Sequence, residues 1–410
     1  MANLDTAALS AVLKQKYTQR RFAELAYRKN PGFALVAKRT DFGGKNKVIA
    51  VRNANPLGIG KDISTAQGTK TASSYKQFVV TRASYYGTAS ITGEAIKAAK
   101  GSENSLIEGL TKEIDGIING VSRRLAMMMY RNGGGAIGQI SSGSTVGSAT
   151  ITLANPGDIT NFETGMVLQA SADDGYSGSA GTRSGGATVT VAGVDVDAGT
   201  VTATGNWSAG IAAVAAGDFL FAKGDYQGWL KGALAWTPLS APTSGDSFFS
   251  LDRSSDVTRL AGVRHNGNGG PIEETLIDAA TKVTRQGGNP DYVFMNPLDW
   301  ASLVKALGSK VIYDKIEKVD DVDVGFKTVS VDGPQGPIKV VQDLNVPKGY
   351  AFMWQLDTWA LESLGPMPQT LDYDGLTLLR SATSDDYEVR VGGYGNFTCE
   401  APGWNAVITL

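Results

Sequence analysis

The chain has 410 residues, too many for one ordinary core, and 42% of them are hydrophobic, which fits two or three packed domains and excludes general disorder. A formal net charge of −2 excludes a chain that is basic throughout, and a single cysteine, Cys399, excludes a disulfide-stapled fold. Glycine, at 51 residues, is roughly twice as common as usual, so turns and close backbone contacts are expected.

The first 52 residues carry eleven Lys and Arg, Arg20 and Arg21 among them, against Asp5, Glu24 and Asp41. This basic arm reads as helical from Leu4 to about Arg28 and stops near Asn30-Pro31-Gly32. The start, MANLDTAALS, has no basic-then-apolar leader pattern, and no apolar run is long enough for a membrane span, so a soluble protein without membrane contact is expected. Residues 45–92 alternate as strands at their ends, Lys47 to Val51 and Tyr75 to Thr92. Between them lie about twenty Gly, Pro, Ser, Thr and Lys residues that offer little to pack. An arm of two strands with so small an apolar content is not stable alone, so it is expected to lie on something else, most simply another copy.

Residues 102–131 form one long helical pattern. Ile107, Leu110, Ile114, Ile117, Val121, Leu125 and Met128 follow 3- and 4-residue steps, the mark of one buried stripe. Ser102 supplies a start and Asn132-Gly133-Gly134-Gly135 an end. About 28 residues at ~1.5 Å each give a rod of roughly 42 Å. Gly109, Gly116 and Gly120 fall together on the side away from the stripe. Each costs about 0.8–1 kcal/mol relative to alanine, which is explained if a neighbouring segment, from this chain or another, approaches that bare side.

Residues 138–226 change character: short strands punctuated by Gly and Asp turns, with lysine almost absent. Residues 141–225 hold eight acids against Arg183 and Lys223. This reads as an acidic all-β module, a compact barrel or sandwich, inserted into the parent chain. After residues 228–239 a polar loop is expected to about Gly270. A helix, Ile272 to Gln286, a strand, Tyr292 to Met295, a turn at Asn296-Pro297 and a second helix follow. A hairpin turning at Asp332-Gly333-Pro334 and long closing strands complete an α+β second half.

Catalytic motifs are not supported. The one histidine, His265, reads as an exposed loop residue, and Cys399 as a buried structural thiol in a strand. Gly58-Ile59-Gly60-Lys61-Asp62 lacks the first glycine and the Ser/Thr of a phosphate loop. Asp321, Asp323 and Gly325 lack the distal glutamate of a calcium loop. No cofactor, metal or enzymatic activity is expected. Seven tryptophans leave open a β-rich glycan-binding protein, for which only Trp207 is placed on an exposed strand edge.

The order of these parts resembles the major capsid protein of tailed double-stranded DNA bacteriophages, an α+β fold of Hong Kong 97-like type. By that resemblance, residues 1–44 are an N-terminal arm, 45–90 an extended E-loop and 91–137 a P domain with its spine helix. Residues 138–226 are then an inserted β-rich domain, 227–270 connecting strands and loop, 271–366 the A domain and 367–410 the return strands of the P domain. The family implies a homo-oligomer of hexamers and pentamers that closes an icosahedral virion head, assembled in the host cytoplasm. It further implies scaffolding, portal and decoration partners, with double-stranded DNA held non-specifically on the inner face. The assembly contacts it suggests are Gly109, Gly116 and Gly120 on the helix, Lys61 and Lys70 near the E-loop tip, and Arg20 and Arg21 in the arm. An encapsulin-like compartment shell of the same fold is the alternative.

Overall fold

A computed structural model of the protein describes residues 30–93, 103–308, 313–319, 322–372, 375, 379–380 and 385–410, with backbone alone for 103–113, 313–319 and 322–327. The helical reading of Leu4 to Arg28, with Arg20 and Arg21, lies outside the described residues.

Two mixed layers carry the second half. In the first, seven strands run in the order Val263–Asn266, Ala406–Thr409, Tyr350–Trp354, Tyr292–Met295, Gly336–Gln342, Val322–Gly333 and Tyr313–Val319. Helices α1 (Ile272–Arg285) and α2 (Pro297–Leu307) cover one face. Asn296 starts α2, its side chain accepting from the Leu298 amide at 3.1 Å, with Pro297 in the first turn, where a missing N–H costs nothing. Strand parity decides what each face meets. Val293, Met295, Ala351 and Met353 pack with Leu276, Ala280 and Leu303 of the helices. Phe294, Phe352 and Trp354 point to the other side and join a second, larger core.

That larger core is reached by α3 (Glu103–Tyr130), the long helix. Ile114, Val121, Leu125 and Met128 are buried as the spacing predicts, and Ile118 joins them while Ile117 is only half-buried. Its last residue, Tyr130, stacks on Phe352 and Trp354 at 5.4 and 5.7 Å between ring centroids, and Trp354 stacks on Trp359 at 4.5 Å. The Tyr130 hydroxyl donates to Asp343 Oδ2 at 3.0 Å, and the Gly32 amide donates to the same oxygen at 3.1 Å. Asp343 Oδ1 accepts from the Asn345 amide and Nδ2, and Asn345 Nδ2 also reaches Asn30 Oδ1. One buried carboxylate thus joins the segment at Asn30–Gly32, the end of α3 and the loop after Gly336–Gln342. Burial pushes its pKa above the usual carboxylate range, against the hydrogen bonds donated to it.

The second layer is a six-stranded sheet built on Asp386–Cys399, which pairs Ala83–Thr92 on one edge and Trp359–Ser363 on the other. Residues 136–222 make a sheet of their own, six strands ordered Ala136–Gln139, Phe219–Ala222, Val167–Ser171, Val189–Asp195, Thr200–Ala203 and Thr150–Thr152. The Ile140–Leu153 bridge brings the first and last strands together, so this sheet closes as a barrel and leaves little free edge. Among the described residues no helix is long and apolar enough to cross a membrane.

Four sequence expectations change here. Tyr75 to Thr92 is not one strand: Ser74–Thr81 pairs Asn46–Ala54, whereas Ala83–Thr92 leaves to pair Asp386–Cys399. The break sits at Arg82, whose guanidinium donates to the Phe42 carbonyl at 2.8 Å and lies over the Phe42 ring. The inward parity flips there, from Phe78 and Val80 to Tyr85, Gly87 and Ile91. The polar loop to Gly270 instead contains a short hairpin at Ser247–Asp252 and the strand Val263–Asn266. The last strand, Ala406–Thr409, does not run with Asp386–Cys399 but enters the seven-stranded sheet, between Val263–Asn266 and Tyr350–Trp354. Ala406, Val407 and Ile408 are all buried, as an interior strand requires. Trp207 is not exposed: it opens a short helical turn, is fully buried, and donates from its indole to the Ala149 carbonyl.

Candidate assembly surfaces

The ribbon formed by Asn46–Ala54 and Ser74–Thr81 has a packed base and a bare tip. At the base Ile49, Phe78 and Val80 are buried. Phe78 meets Trp236 edge-on at 4.9 Å and Phe248 at 6.1 Å, so this end rests on its own chain rather than only on another copy. Lys47 reaches Glu362 Oε2 at 2.6 Å, and Arg39 bridges Glu362 and Glu400. Glu362 is 1% exposed, so Lys47 and Arg39 compensate a carboxylate that is otherwise costly to bury.

The tip is ordered but unsupported. Residues 63–68 form a helical turn capped by Asp62, which accepts from the Thr65 amide at 2.8 Å. That bond, together with one from Ser64, holds the Asp62 carboxyl below its usual range. The Thr71 amide donates to the Leu57 carbonyl at 2.8 Å and closes the neck. Leu57, Ile59 and Ile63 are 61%, 87% and 75% exposed, and Val48 and Tyr75 on the outer face are 55% and 63% exposed. Lys61 and Lys70 flank the turn, both exposed.

On α3, Gly116 and Gly120 are exposed, and among the described residues nothing lies within 4 Å of a Cβ placed at either. No part of the described chain therefore occupies that side. Gly109 is helical, and its surroundings lie outside the described side chains. The opposite end of α3 is crowded. Gly134 lies so close to the next segment that a Cβ there meets the Asp174 carbonyl oxygen at 2.1 Å, and Gly135 combines a φ of +97° with a similar contact to Asp225.

The barrel is held to α3 by charges that sequence reading missed. Arg131 pairs with Asp158 at 2.6 Å, and Arg123 with Glu163 at 3.4 Å. Arg123 also donates to the Thr160 carbonyl, and Asn132 to Asp174. Arg124 lies over Trp229 and holds down the pKa of nearby Asp225, which burial pushes up more strongly. Inside the barrel Arg183 grips Asp218 through two bonds of 2.8 and 2.7 Å. Four of the module's eight acids, Asp158, Glu163, Asp218 and Asp225, are thus answered by arginines of the same chain. The signal was present as Arg123, Arg124 and Arg131, clustered around the C-terminal turns of the long helix.

Among the described residues no catalytic constellation is assembled. Cys399 ends a strand in full burial, where desolvation pushes its thiol up to about 12, far from a reactive thiolate. Among the described residues no group of three His, Cys, Asp or Glu is placed to hold a metal. His265 is half-buried in the strand Val263–Asn266, not in a loop, and its Nδ1 lies 2.8 Å from Lys282 Nζ. Burial, then the Lys282 charge, hold its pKa below the usual 6.5, while Asp278 opposes them. A histidine so depressed binds fewer protons folded than unfolded, so its contribution to stability is lost as pH falls below ~6.5. Between pH 7.5 and 5 the melting temperature of the wild type should therefore fall more than that of His265→Gln, as scanning calorimetry would show; equal falls would refute this.

Residues 193–395 match the family model of the SU10 major capsid protein. No curated protein matches the chain in sequence. The capsid asymmetric unit of cyanophage A-1(L) superposes with a TM-score of 0.52 at 11% identity, covering 93% of this chain and 92% of that one. A structure from Mycobacterium phage Ogopogo gives 0.41 at 9% identity over 94% and 91% of the two chains. The holo-SrpI encapsulin complex of Synechococcus elongatus PCC 7942 gives 0.44 at 8% identity over 100% and 96%. Residues 193–395 thus match the SU10 major capsid protein family, and the cyanophage superposition shows the α+β, Hong Kong 97-like fold.

Proposed function

We propose that this protein assembles as hexamers and pentamers into the icosahedral head of a double-stranded DNA phage, and that it does so as a purely structural subunit. The ribbon is then the E-loop lying over a neighbouring copy, and the bare side of α3 at Gly109, Gly116 and Gly120 receives a neighbour's backbone. The barrel is the inserted domain. The basic residues of the first 52, Arg20 and Arg21 with them, face the packaged genome without base-specific contacts. Scaffolding, portal and decoration proteins complete the head, which forms in the host cytoplasm.

The observation that carries this reading is the tip. Leu57, Ile59 and Ile63 stand in solvent on a closed, capped loop. Ordered apolar side chains at the end of an arm are what an assembling subunit needs and what a monomer does not. Wild-type protein expressed alone should elute as capsomers or megadalton shells in size-exclusion chromatography with light scattering. The triple variant Leu57→Ser, Ile59→Ser, Ile63→Ser should keep its melting temperature within about 1 °C, since those residues bury little, yet stay monomeric. A wild type that remains monomeric at high concentration would overturn the proposal.

A further inference from the structure

A groove runs between the base of the ribbon and the end of α1. Its first part, about 430 Å³, is lined by the strand residues 50–55 together with Arg259, Glu400 and Trp404. Its second part, about 270 Å³, is lined by Arg264, Lys282 and Arg285. The two share Gln286. Arg52 and Arg259 at one end and Lys282 and Arg285 at the other are exposed. Of the carboxylates nearby, Glu400 pairs with Arg39, Asp256 lies 3.8 Å from Arg259, and Asp278 acts on His265 beside Lys282. Among the described residues no carboxylate pairs with Arg285 or Lys282.

Three further features show that the groove is shaped for a polypeptide. Trp404 stands 39% exposed in its wall, against a general burial of the tryptophans. Asn53 Oδ1 is shielded from water yet accepts no hydrogen bond, an arrangement that an incoming N–H would satisfy. The strand Asn46–Ala54 pairs on one side only. A nucleic-acid duplex would leave both Trp404 and the strand edge without a partner.

The chain also holds a matching protrusion. Of the barrel's acids, Asp158, Glu163 and Asp174 turn to α3, Asp218 is gripped by Arg183, and Asp173 accepts bonds from its own loop. Asp195 and Asp197 remain exposed, at the turn between Val189–Asp195 and Thr200–Ala203, with Val196 between them 60% exposed. Asp195 uses one oxygen to cap that turn, accepting from the amides of Asp197 and Ala198. Two carboxylates flanking an apolar side chain complement a wall tryptophan flanked by cations.

We infer that this groove is the docking site for the Asp195–Asp197 turn of a second copy's barrel, with Val196 over Trp404 and the carboxylates between the two pairs of cations. The inference rests on the self-assembly proposed above. It makes the barrel an intersubunit strut. Its association is then salt-dependent, because exposed charge pairs act mainly on encounter and are screened.

The test is assembly kinetics by light scattering on full-length protein, with Asp197→Lys, Arg285→Glu and the two combined. Each single reversal should slow assembly by roughly tenfold at low salt, and the combined variant should recover most of the rate. A second readout uses Asp197→Cys with Gln286→Cys, because Cys399 is buried and gives no background. Oxidised particles should then run as disulfide-linked ladders on non-reducing gels. Normal assembly by both single variants, or no recovery in the combined one, would overturn the docking while leaving self-assembly standing. So would an Arg285→Glu particle that assembles normally but loses nucleic acid, which would assign the groove to the genome. A wild type that never assembles removes the proposed function and this inference with it.

Discussion

Asp343→Ala should be the most damaging single substitution in the described core, lowering stability by about 3–5 kcal/mol. Four donors converge on its carboxylate: the Gly32 amide, the Tyr130 hydroxyl, and the amide and side chain of Asn345. Alanine leaves the Gly32 and Asn345 amides and the Tyr130 hydroxyl buried without an acceptor, while Asn345 Nδ2 keeps only Asn30 Oδ1, and each unsatisfied group costs about 1–3 kcal/mol before any relaxation. It also opens a cavity beneath the stacked rings of Tyr130, Phe352 and Trp354. Asp343→Asn should be milder. One oxygen remains for one pair of donors, and at the other site Tyr130 can rotate its hydroxyl to accept, so that only the Gly32 amide is left facing an NH₂ group. Urea denaturation of the three proteins measures this. The reading falls if alanine costs no more than asparagine. The same ordering is expected in assembly yield, because the node fixes the segment at Asn30–Gly32, the long helix and the seven-stranded sheet relative to one another.

Gly134→Ala is the second large effect, about 3 kcal/mol or more, from a single added methyl group. Its Cβ would sit 2.1 Å from the Asp174 carbonyl oxygen and 2.6 Å from the Tyr176 amide nitrogen. Both are backbone atoms of a loop that Asp174, Tyr176 and Asn132 hold in place, so neither can swing aside as a flexible side chain would. The end of the long helix and the root of the barrel must separate instead, which weakens the Arg131–Asp158 pair nearby. The expected readouts are a lower melting temperature and faster proteolytic release of the barrel. Gly120→Ala is the contrasting control. Among the described residues nothing lies within 4 Å of its Cβ, so alanine there should stabilise the free subunit by about 1 kcal/mol through helix propensity alone. If the same variant assembles more slowly, the bare side of the helix is occupied in the shell; unchanged assembly would leave that side to solvent.

Local periodicity made several elements legible. The 3- and 4-residue steps from Ile114 to Met128 mark a helix whose buried side is the one observed. The helix from Ile272 and the strand Tyr292–Met295 were readable from the same kind of pattern, the strand to the residue. A closer reading of alternation would also have shown the break at Arg82, since Phe78 and Val80 fall on even positions and Tyr85 and Ile91 on odd ones. The candidate surfaces were less visible. Lys61 and Lys70 marked the tip, but the groove draws on residues from the ribbon, the segment at Thr258–Arg264, α1 and the chain near Trp404, which no window of sequence brings together.

By itself, the sequence determined the kinds of element, their order and the charge of each segment, because helix and strand patterns depend on neighbours a few residues apart. Tertiary structure alone decided the rest. It placed Ala406–Thr409 beside Val263–Asn266, buried Trp207 and exposed Trp404, turned the barrel's acids onto the arginines of the long helix, and enclosed Asp343 among its donors. The physical reason is common to all of these. Which strand pairs with which, and whether a charge is answered, follows from contacts between residues far apart in the chain, where hydrogen bonds and desolvation outweigh local preference.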